Sequence, residues 1–113
     1  MTDRLFVYRP GFEDGGAEWF CPYSAQIIGY LTYYPAVRAT LELVELEFAK
    51  PRRPLVDLVG EANQAAPCLV LDPASPRQVA GVTVAEHERR YFVSKTLEIL
   101  RYLSKTRGTH APH

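Results

Sequence analysis

The chain has 113 residues, of which 47% are hydrophobic and 23% charged, a composition typical of one globular domain with its own apolar core. Lys and Arg total 13 and Asp and Glu total 13, so no net charge favours nucleic acid or an anionic membrane as a partner. The apolar run Leu5 to Tyr8 is too short for a signal peptide or a transmembrane helix. We therefore expect a cytoplasmic protein that binds neither nucleic acid nor membrane.

The first part of the chain predicts a buried strand followed by a helix. Leu5 to Tyr8 is continuously apolar and ends at Arg9-Pro10-Gly11, which is typical of a central strand. A loop containing Gly15-Gly16 follows, and Pro22 suits the first position of a helix, where its missing N–H is harmless. Pro35 should end this helix. Its apolar residues at helical spacing are Ile27, Ile28, Leu31 and Tyr34.

The middle of the chain predicts two further strands separated by a short helix. Leu43 to Phe48 alternates between apolar and acidic residues, the period of a strand. Leu55 to Val59 should form a helix that ends at Gly60. Pro67 to Leu71 reads as the third strand, with proline tolerated at its first residue. A weaker short strand is predicted at residues 82–84.

The last part predicts Tyr91 to Val93 as the fourth core strand and a helix from about Lys95 to Lys105, with Leu97, Leu100 and Leu103 on one stripe. The order strand, helix, strand, helix, strand, strand, helix predicts an α/β domain with a mixed four-stranded sheet flanked by helices. The domain should cover residues 1–105, and residues 106–113 should form a flexible tail.

The sequence Cys21-Pro22-Tyr23-Ser24 at the start of the first helix contains the candidate reactive group. With Pro22 as the first helical residue, Cys21 is the N-cap, where free N–H groups and the helix dipole favour a thiolate. Ser24 is close enough to donate a hydroxyl hydrogen bond to the sulfur, but it cannot form a disulfide. Redox chemistry would therefore use one thiol. The alternative is that Cys21 only packs beneath the loop while Ser24 bonds the helix backbone.

Cys68, the second cysteine, lies in an apolar strand and is expected to be buried and structural. Strand alternation predicts that Cys68 points away from Pro67 and from Cys21, so a disulfide between the two cysteines is possible in principle but not favoured. His87, His110 and His113 lack the spacing of metal ligands, and we expect no metal site.

This order of elements, with Cys21-Pro22-Tyr23-Ser24 after the first strand and Ala66-Pro67 before the third, resembles glutaredoxins and glutathione-transferase N-terminal domains. The chain is more similar still to an uncharacterised bacterial family of thioredoxin-like proteins. The resemblance implies a thioredoxin-like fold with a cis Pro67 beside a catalytic Cys21 and Ser24. The residues that it implies around a bound thiol are Tyr23, Ala66, Pro67, Lys50, Arg52, Arg53, Lys95 and Thr96. For Lys50, Arg52 and Arg53 the alternative is a solvated turn without a ligand.

Two departures from this resemblance bear on glutathione. Glutaredoxins carry a lysine where this chain has Glu18, and transferases carry an acidic or amide residue and a serine where it has Lys95-Thr96. The replaced groups help to hold glutathione, so we expect weak binding of this tripeptide and no tightly bound cofactor.

Three functions follow as hypotheses. The first is a monothiol thiol-disulfide oxidoreductase acting on a protein disulfide or a small thiol such as glutathione, as a monomer or weak homodimer. The second is a non-catalytic binding module, and the third is a homodimer that bridges an iron–sulfur cluster through Cys21.

Overall fold

A mixed sheet of five strands forms the centre of the computed structural model, which describes residues 2–113. The elements in chain order are β1 (Asp3–Tyr8), β2 (Phe12–Asp14), β3 (Ala17–Trp19), α1 (Pro22–Tyr33), α2 (Pro35–Arg38), β4 (Leu41–Leu46), α3 (Leu55–Val59), a 3-10 turn (Glu61–Asn63), β5 (Cys68–Val70), β6 (Ala85–His87), β7 (Arg90–Val93) and α4 (Thr96–Arg107). The strand order across the sheet is β4-β1-β5-β7-β6, and β2 pairs with β3 in a separate hairpin.

Strands β1 and β4 form the only parallel pair among the described residues. Their pairing runs from Asp3 opposite Leu41 to Tyr8 opposite Leu46. The pairs β1–β5, β5–β7 and β6–β7 are antiparallel. A parallel pair needs a crossover connection, and α1 and α2 supply it between β1 and β4. The predicted α/β class is therefore correct.

Helices cover both faces of the sheet. Helices α1 and α4 pack on one face through Ile27, Leu31, Ile99 and Leu103, and α3 packs on the other through Leu55 and Val59. Alternate residues of β1 point to the two faces: Leu5 and Val7 contact α1 and α4, whereas Phe6 and Tyr8 lie on the α3 side. Burial on both faces explains why this strand is continuously apolar.

The prediction of four strands in the sheet is wrong, because β6 adds a fifth at the edge. The short strand expected at residues 82–84 lies three residues later, at Ala85–His87. Glu88 and Arg89 form the two-residue turn between β6 and β7 with φ of 47° and 66°. Such turns favour Asn-Gly or Gly-Gly, so a Glu-Arg turn carries no sequence signal.

The segment predicted as a loop after β1 contains the β2–β3 hairpin. Gly15 and Gly16 form its turn with φ of 62° and 83°, and Phe12 lies opposite Trp19. A Gly-Gly pair between two short extended segments is a recognised hairpin signal that the sequence analysis overlooked.

Several predicted boundaries move by about two residues. Strand β4 covers Leu41–Leu46 instead of Leu43 to Phe48, and α4 continues to Arg107. Pro35 ends α1 as predicted, but it also begins the short helix α2. On α4, Leu97 is exposed and Tyr102 is fully buried, because the buried stripe runs through Ile99, Tyr102 and Leu103.

Candidate functional site

Cys21 is the N-cap of α1, as the sequence predicts. Its φ and ψ are −81° and 117°, Pro22 is the first helical residue, and the Ser24 backbone N–H donates to Cys21 Sγ at 3.4 Å. The cysteine is half-buried and free. Cys21 Sγ therefore accepts a backbone N–H within the first turn of a helix.

Ser24 acts differently from the sequence hypothesis. Its backbone amide, and not its hydroxyl, forms the contact with Cys21 Sγ. The hydroxyl oxygen accepts the Tyr8 backbone N–H at 3.1 Å, and the side chain is buried. Ser24 therefore fastens the start of α1 to the end of β1, and this fixes the position of Cys21 relative to the sheet.

A cavity of about 300 Å³ opens beside Cys21 between the β2–β3 hairpin and the start of α1. Six aromatic residues, one acidic residue and Pro22 line it together with the cysteine. The aromatic and acidic residues are Tyr8, Phe12, Trp19, Phe20, Tyr23, Phe48 and Asp14. We call this space the aromatic cavity.

A second cavity of about 540 Å³ also reaches Cys21, on the side of β1 and β4. Its lining includes Phe20, Ile28 and Leu43, and two charged residues, Arg38 and Glu45, stand at its edge. Cys21 therefore lines both cavities.

Ala66 and Pro67 lie close to this region. The Ala66–Pro67 peptide bond is cis, so the prediction from the resemblance is confirmed. Pro67 is buried, and Ala66 packs against the same apolar cluster as Cys21, which includes Phe6 and Val70. The structure thus brings Cys21, Tyr23, Ser24, Ala66 and the Pro67 segment to one end of the sheet.

The basic group Lys50, Arg52 and Arg53 does not form one surface patch. Lys50 and Arg53 are exposed, and Arg53 pairs with Asp57 at 2.8 Å. Arg52 points inward and is only 9% exposed.

The buried Arg52 guanidinium joins two loops behind the aromatic cavity. Its Nε donates to the Phe48 carbonyl at 2.7 Å, and the Arg52 backbone N–H donates to Gln64 Oε1 at 2.8 Å. The guanidinium carbon lies 5.1 Å from the Tyr8 ring centroid and 4.8 Å from that of Phe48. Within residues 2–113 no carboxylate forms an ion pair with it. Arg52 therefore packs against the rings of Tyr8 and Phe48 without lining the aromatic cavity itself.

Lys95 is the N-cap of α4 and Thr96 its first residue, and neither lines the two cavities at Cys21. Lys95 is exposed and its ammonium lies 3.8 Å from Glu98. The Glu98 carboxylate in turn accepts the Thr83 backbone N–H, which holds the pKa of Glu98 below its usual range.

Cys68 is fully buried in β5, and burial raises the pKa of its thiol from 9.0 to about 12. The prediction that it is buried is correct. The expectation that it points away from the Cys21 region is wrong, because Cys68 belongs to the apolar cluster against which Cys21 packs. The reason is that β5 begins at Cys68 itself, opposite Phe6 of β1, and both side chains face α3. Both cysteines are free.

Residues 2–113 contain no cluster of three or more His, Cys, Asp or Glu side chains arranged to hold a metal ion. Over the same residues no helix is long and apolar enough to span a membrane.

The sequence analysis missed the aromatic cavity. Trp19, Phe20 and Tyr23 flank Cys21 in the sequence, yet their side chains are 54%, 65% and 59% exposed. Three large aromatic side chains left in solvent around one cysteine are unusual for a surface without a partner. The signal was the run Trp19-Phe20-Cys21-Pro22-Tyr23 itself.

Comparison with known proteins gives one match. No curated protein and no solved structure is significantly similar to the chain. A family model described as a protein of unknown function (DUF3088) matches residues 2–111. The chain therefore belongs to the DUF3088 family.

Proposed function

We propose that this chain is a thioredoxin-like domain in which Cys21 forms mixed disulfides, as a monothiol oxidoreductase of a reducing compartment such as the cytoplasm. The observation that carries the proposal is the environment of Cys21 Sγ. The sulfur accepts a backbone N–H at 3.4 Å at the start of α1, and Cys21 lines two cavities. Neither the N–H donor nor the two cavities is expected for a cysteine that only packs beneath a loop.

The sheet supports the thioredoxin-like part of the proposal. Its strands β4-β1-β5-β7 comprise a parallel pair followed by two antiparallel neighbours, with helices on both faces. The candidate cysteine follows the central strand β1 at the N-terminus of a helix. The hairpin β2–β3 and the edge strand β6 are additions to that arrangement.

The proposed reaction is thiol–disulfide exchange. The Cys21 thiolate attacks one sulfur of a disulfide RSSR, a bond forms between Cys21 Sγ and that sulfur, and RS⁻ leaves with the electron pair of the broken bond. A second thiolate then attacks the RS sulfur and releases Cys21. No internal thiol resolves the intermediate: Ser24 lacks sulfur, and burial keeps the Cys68 thiol protonated, with a pKa of about 12.

Glutathione and similar small thiols are the proposed partners, with protein disulfides as the larger alternative. Tyr23, Ala66 and Pro67 would contact such a thiol next to Cys21. The groups proposed for its two ends are Lys50, Arg52 and Arg53 at one end and Lys95 and Thr96 at the other. Because Lys50 and Arg53 face solvent and Arg52 faces inward, the first end lacks a concentrated positive patch.

A non-catalytic binding module is the second candidate function. The exposed side chains of Trp19, Phe20 and Tyr23 favour it, because aromatic residues are enriched where proteins contact partners. In that case Cys21 would lie at the edge of the binding surface and have no chemical role.

The test is reaction of the folded chain with bis(2-hydroxyethyl) disulfide at neutral pH, followed by mass spectrometry and peptide mapping. We expect one hydroxyethylthio adduct on Cys21, formed faster than on the same chain unfolded in urea. The Cys68→Ala variant should react like the wild type, and the Cys21→Ala variant should not react while folded.

Two results would overturn the oxidoreductase proposal. One is a Cys21 that reacts no faster in the folded chain than in the unfolded chain, which would favour the binding module. The other is an adduct on Cys68 in the folded state, which would reverse the roles of the two cysteines.

A further inference from the structure

The aromatic cavity beside Cys21 has a chemical character that identifies one class of ligand. Its floor consists of Tyr8, Phe12 and Phe48, whose rings pack together with centroids 4.6–5.7 Å apart. Its rim consists of Trp19, Phe20 and Tyr23, which are largely exposed. A group that binds in this open cavity therefore contacts mainly aromatic side chains.

Two features hold these rings in place before any ligand arrives. The Trp19 indole N–H donates to the Asp14 carbonyl at 2.8 Å, which fixes the indole against the hairpin. Phe12 and Phe48 stack at 4.6 Å with an angle of 14° between their planes. A site with rings fixed in advance loses less conformational entropy when it binds a ligand.

The charged residue that lines the cavity is acidic. Asp14 is the carboxylate in its lining, and the hairpin also carries Glu13 and Glu18 but no basic residue. Neither Asp14 nor Glu13 forms an ion pair with any side chain of residues 2–113. Aromatic faces carry negative electrostatic potential, so the rings and Asp14 attract the same kind of group, an organic cation.

One cation of the protein already contacts two of these rings. The Arg52 guanidinium lies near Tyr8 and Phe48 but does not line the cavity. It reduces the attraction that those two rings offer to a second cation, so the stronger contacts should come from Trp19, Tyr23 and Asp14. An anionic ligand would meet both the ring faces and Asp14 unfavourably.

We propose that the aromatic cavity binds an alkylammonium group and that Cys21 therefore prefers disulfides of small aminothiols. The preference rests on the proposed exchange function, whereas the binding of the ammonium group does not. With cystamine, the Cys21 thiolate attacks one sulfur, the Cys21–cysteamine disulfide forms, and the second cysteamine leaves as the thiolate. The ammonium of the retained half then lies in the cavity.

Binding can be measured without the thiol, because Trp19 is the only tryptophan of the chain and lines the cavity. In the Cys21→Ser variant, 1,6-diaminohexane should change Trp19 fluorescence saturably, with an affinity on the order of millimolar, and 1,6-hexanediol should not. Asp14→Asn should weaken the diamine about fivefold to tenfold. Glu13→Gln is the matched control: it removes the same charge one residue away, outside the lining, and should change little.

Selectivity is measured by exchange rates with cystamine, bis(2-hydroxyethyl) disulfide and dithiodiglycolate, each divided by the rate of the urea-unfolded chain. We expect normalised rates to fall in that order, about tenfold between the cation and the neutral disulfide, and to converge in Asp14→Asn. A urea-unfolding midpoint equal to that of the wild type shows that Asp14→Asn is folded.

Equal fluorescence responses to the diamine and the diol would overturn the inference, and so would equal normalised rates or a preference for the anion. Those results would leave the exchange function standing. A chain that binds the diamine but exchanges with no disulfide would instead overturn the proposed function and support the cation site.

Discussion

Alkaline pH should destabilise the folded chain, and Cys68 should account for a measurable part of the loss. Burial raises the pKa of its thiol from 9.0 to about 12. Above pH 9 the unfolded chain therefore releases this proton while the folded chain retains it. Since the unfolded state binds fewer protons in this window, the free energy of unfolding falls as the pH rises from 9 to about 12.

The magnitude follows from the two pKa values. A difference of about three units corresponds to roughly 4 kcal/mol when the pH has passed both values. At about pH 10.5 the loss is about half of this, on the order of 2 kcal/mol, and at pH 8 it is close to zero. A domain of this size has a total stability of about 5–15 kcal/mol, so the loss is measurable.

The assay is urea unfolding of the wild type and of Cys68→Ala at pH 8 and about pH 10.5, under reducing conditions. The wild type should lose about 2 kcal/mol more than Cys68→Ala between the two pH values. Other groups that titrate in this range are present in both proteins and cancel. One is Tyr102, whose pKa burial raises from 10.0 to about 12. Cys21→Ala is the matched control, because it removes the other thiol and retains Cys68.

The reasoning would be refuted if the wild type and Cys68→Ala lost the same stability between these pH values. That outcome would mean that the Cys68 thiolate forms in the folded chain as readily as in the unfolded chain. A burial-based explanation of its inertness would then fail.

Three further changes test other parts of the structure. Ser24→Ala leaves the buried Tyr8 backbone N–H without its acceptor and should lower the free energy of unfolding in urea by about 1–3 kcal/mol. Disulfide exchange at Cys21 should persist, because the Ser24 backbone N–H that donates to the sulfur remains. Loss of exchange at unchanged stability would contradict this. Asp3→Ala removes the buried partner of Arg107 and should cost about 3–5 kcal/mol, and a loss below 1 kcal/mol would refute that estimate. Glutathione should bind weakly by calorimetry, and Lys95→Gln should tighten it up to about tenfold, whereas low-micromolar binding by the wild type would disprove the argument.

Local sequence signals predicted the elements that depend on neighbouring residues. Pro22 and Pro35 were predicted to mark the two ends of α1. In the structure the helix begins at Pro22 and ends at Tyr33, just before Pro35. Gly60 likewise follows α3, with a φ of 84° that favours glycine. These positions could be predicted because their backbone constraints are intrinsic to the residue type.

Features that depend on distant contacts could not be predicted in the same way. The sequence suggested that Arg52 is one of three exposed cations, yet it is buried. Its guanidinium donates hydrogen bonds to the Phe48 and Gln64 carbonyl groups and lies over two aromatic rings. Cys68 was expected to point away from Cys21, yet both residues contact the apolar cluster on the α3 side of the sheet, which only the pairing of Cys68 with Phe6 reveals. Neither outcome is encoded in a short sequence window.

The two cysteines show how position in this fold assigns chemistry to the same side chain. Cys68 faces α3 from the middle of the sheet, where no donor compensates a negative charge, so burial keeps its thiol protonated. Cys21 packs against the edge of the same cluster, but it lies at the end of α1, where the Ser24 amide points at its sulfur. The Cys21 sulfur accepts a hydrogen bond, whereas a thiolate at Cys68 would lose its contact with water and accept none in return. The difference in reactivity that we propose therefore rests on the two environments, because the side chains themselves are identical.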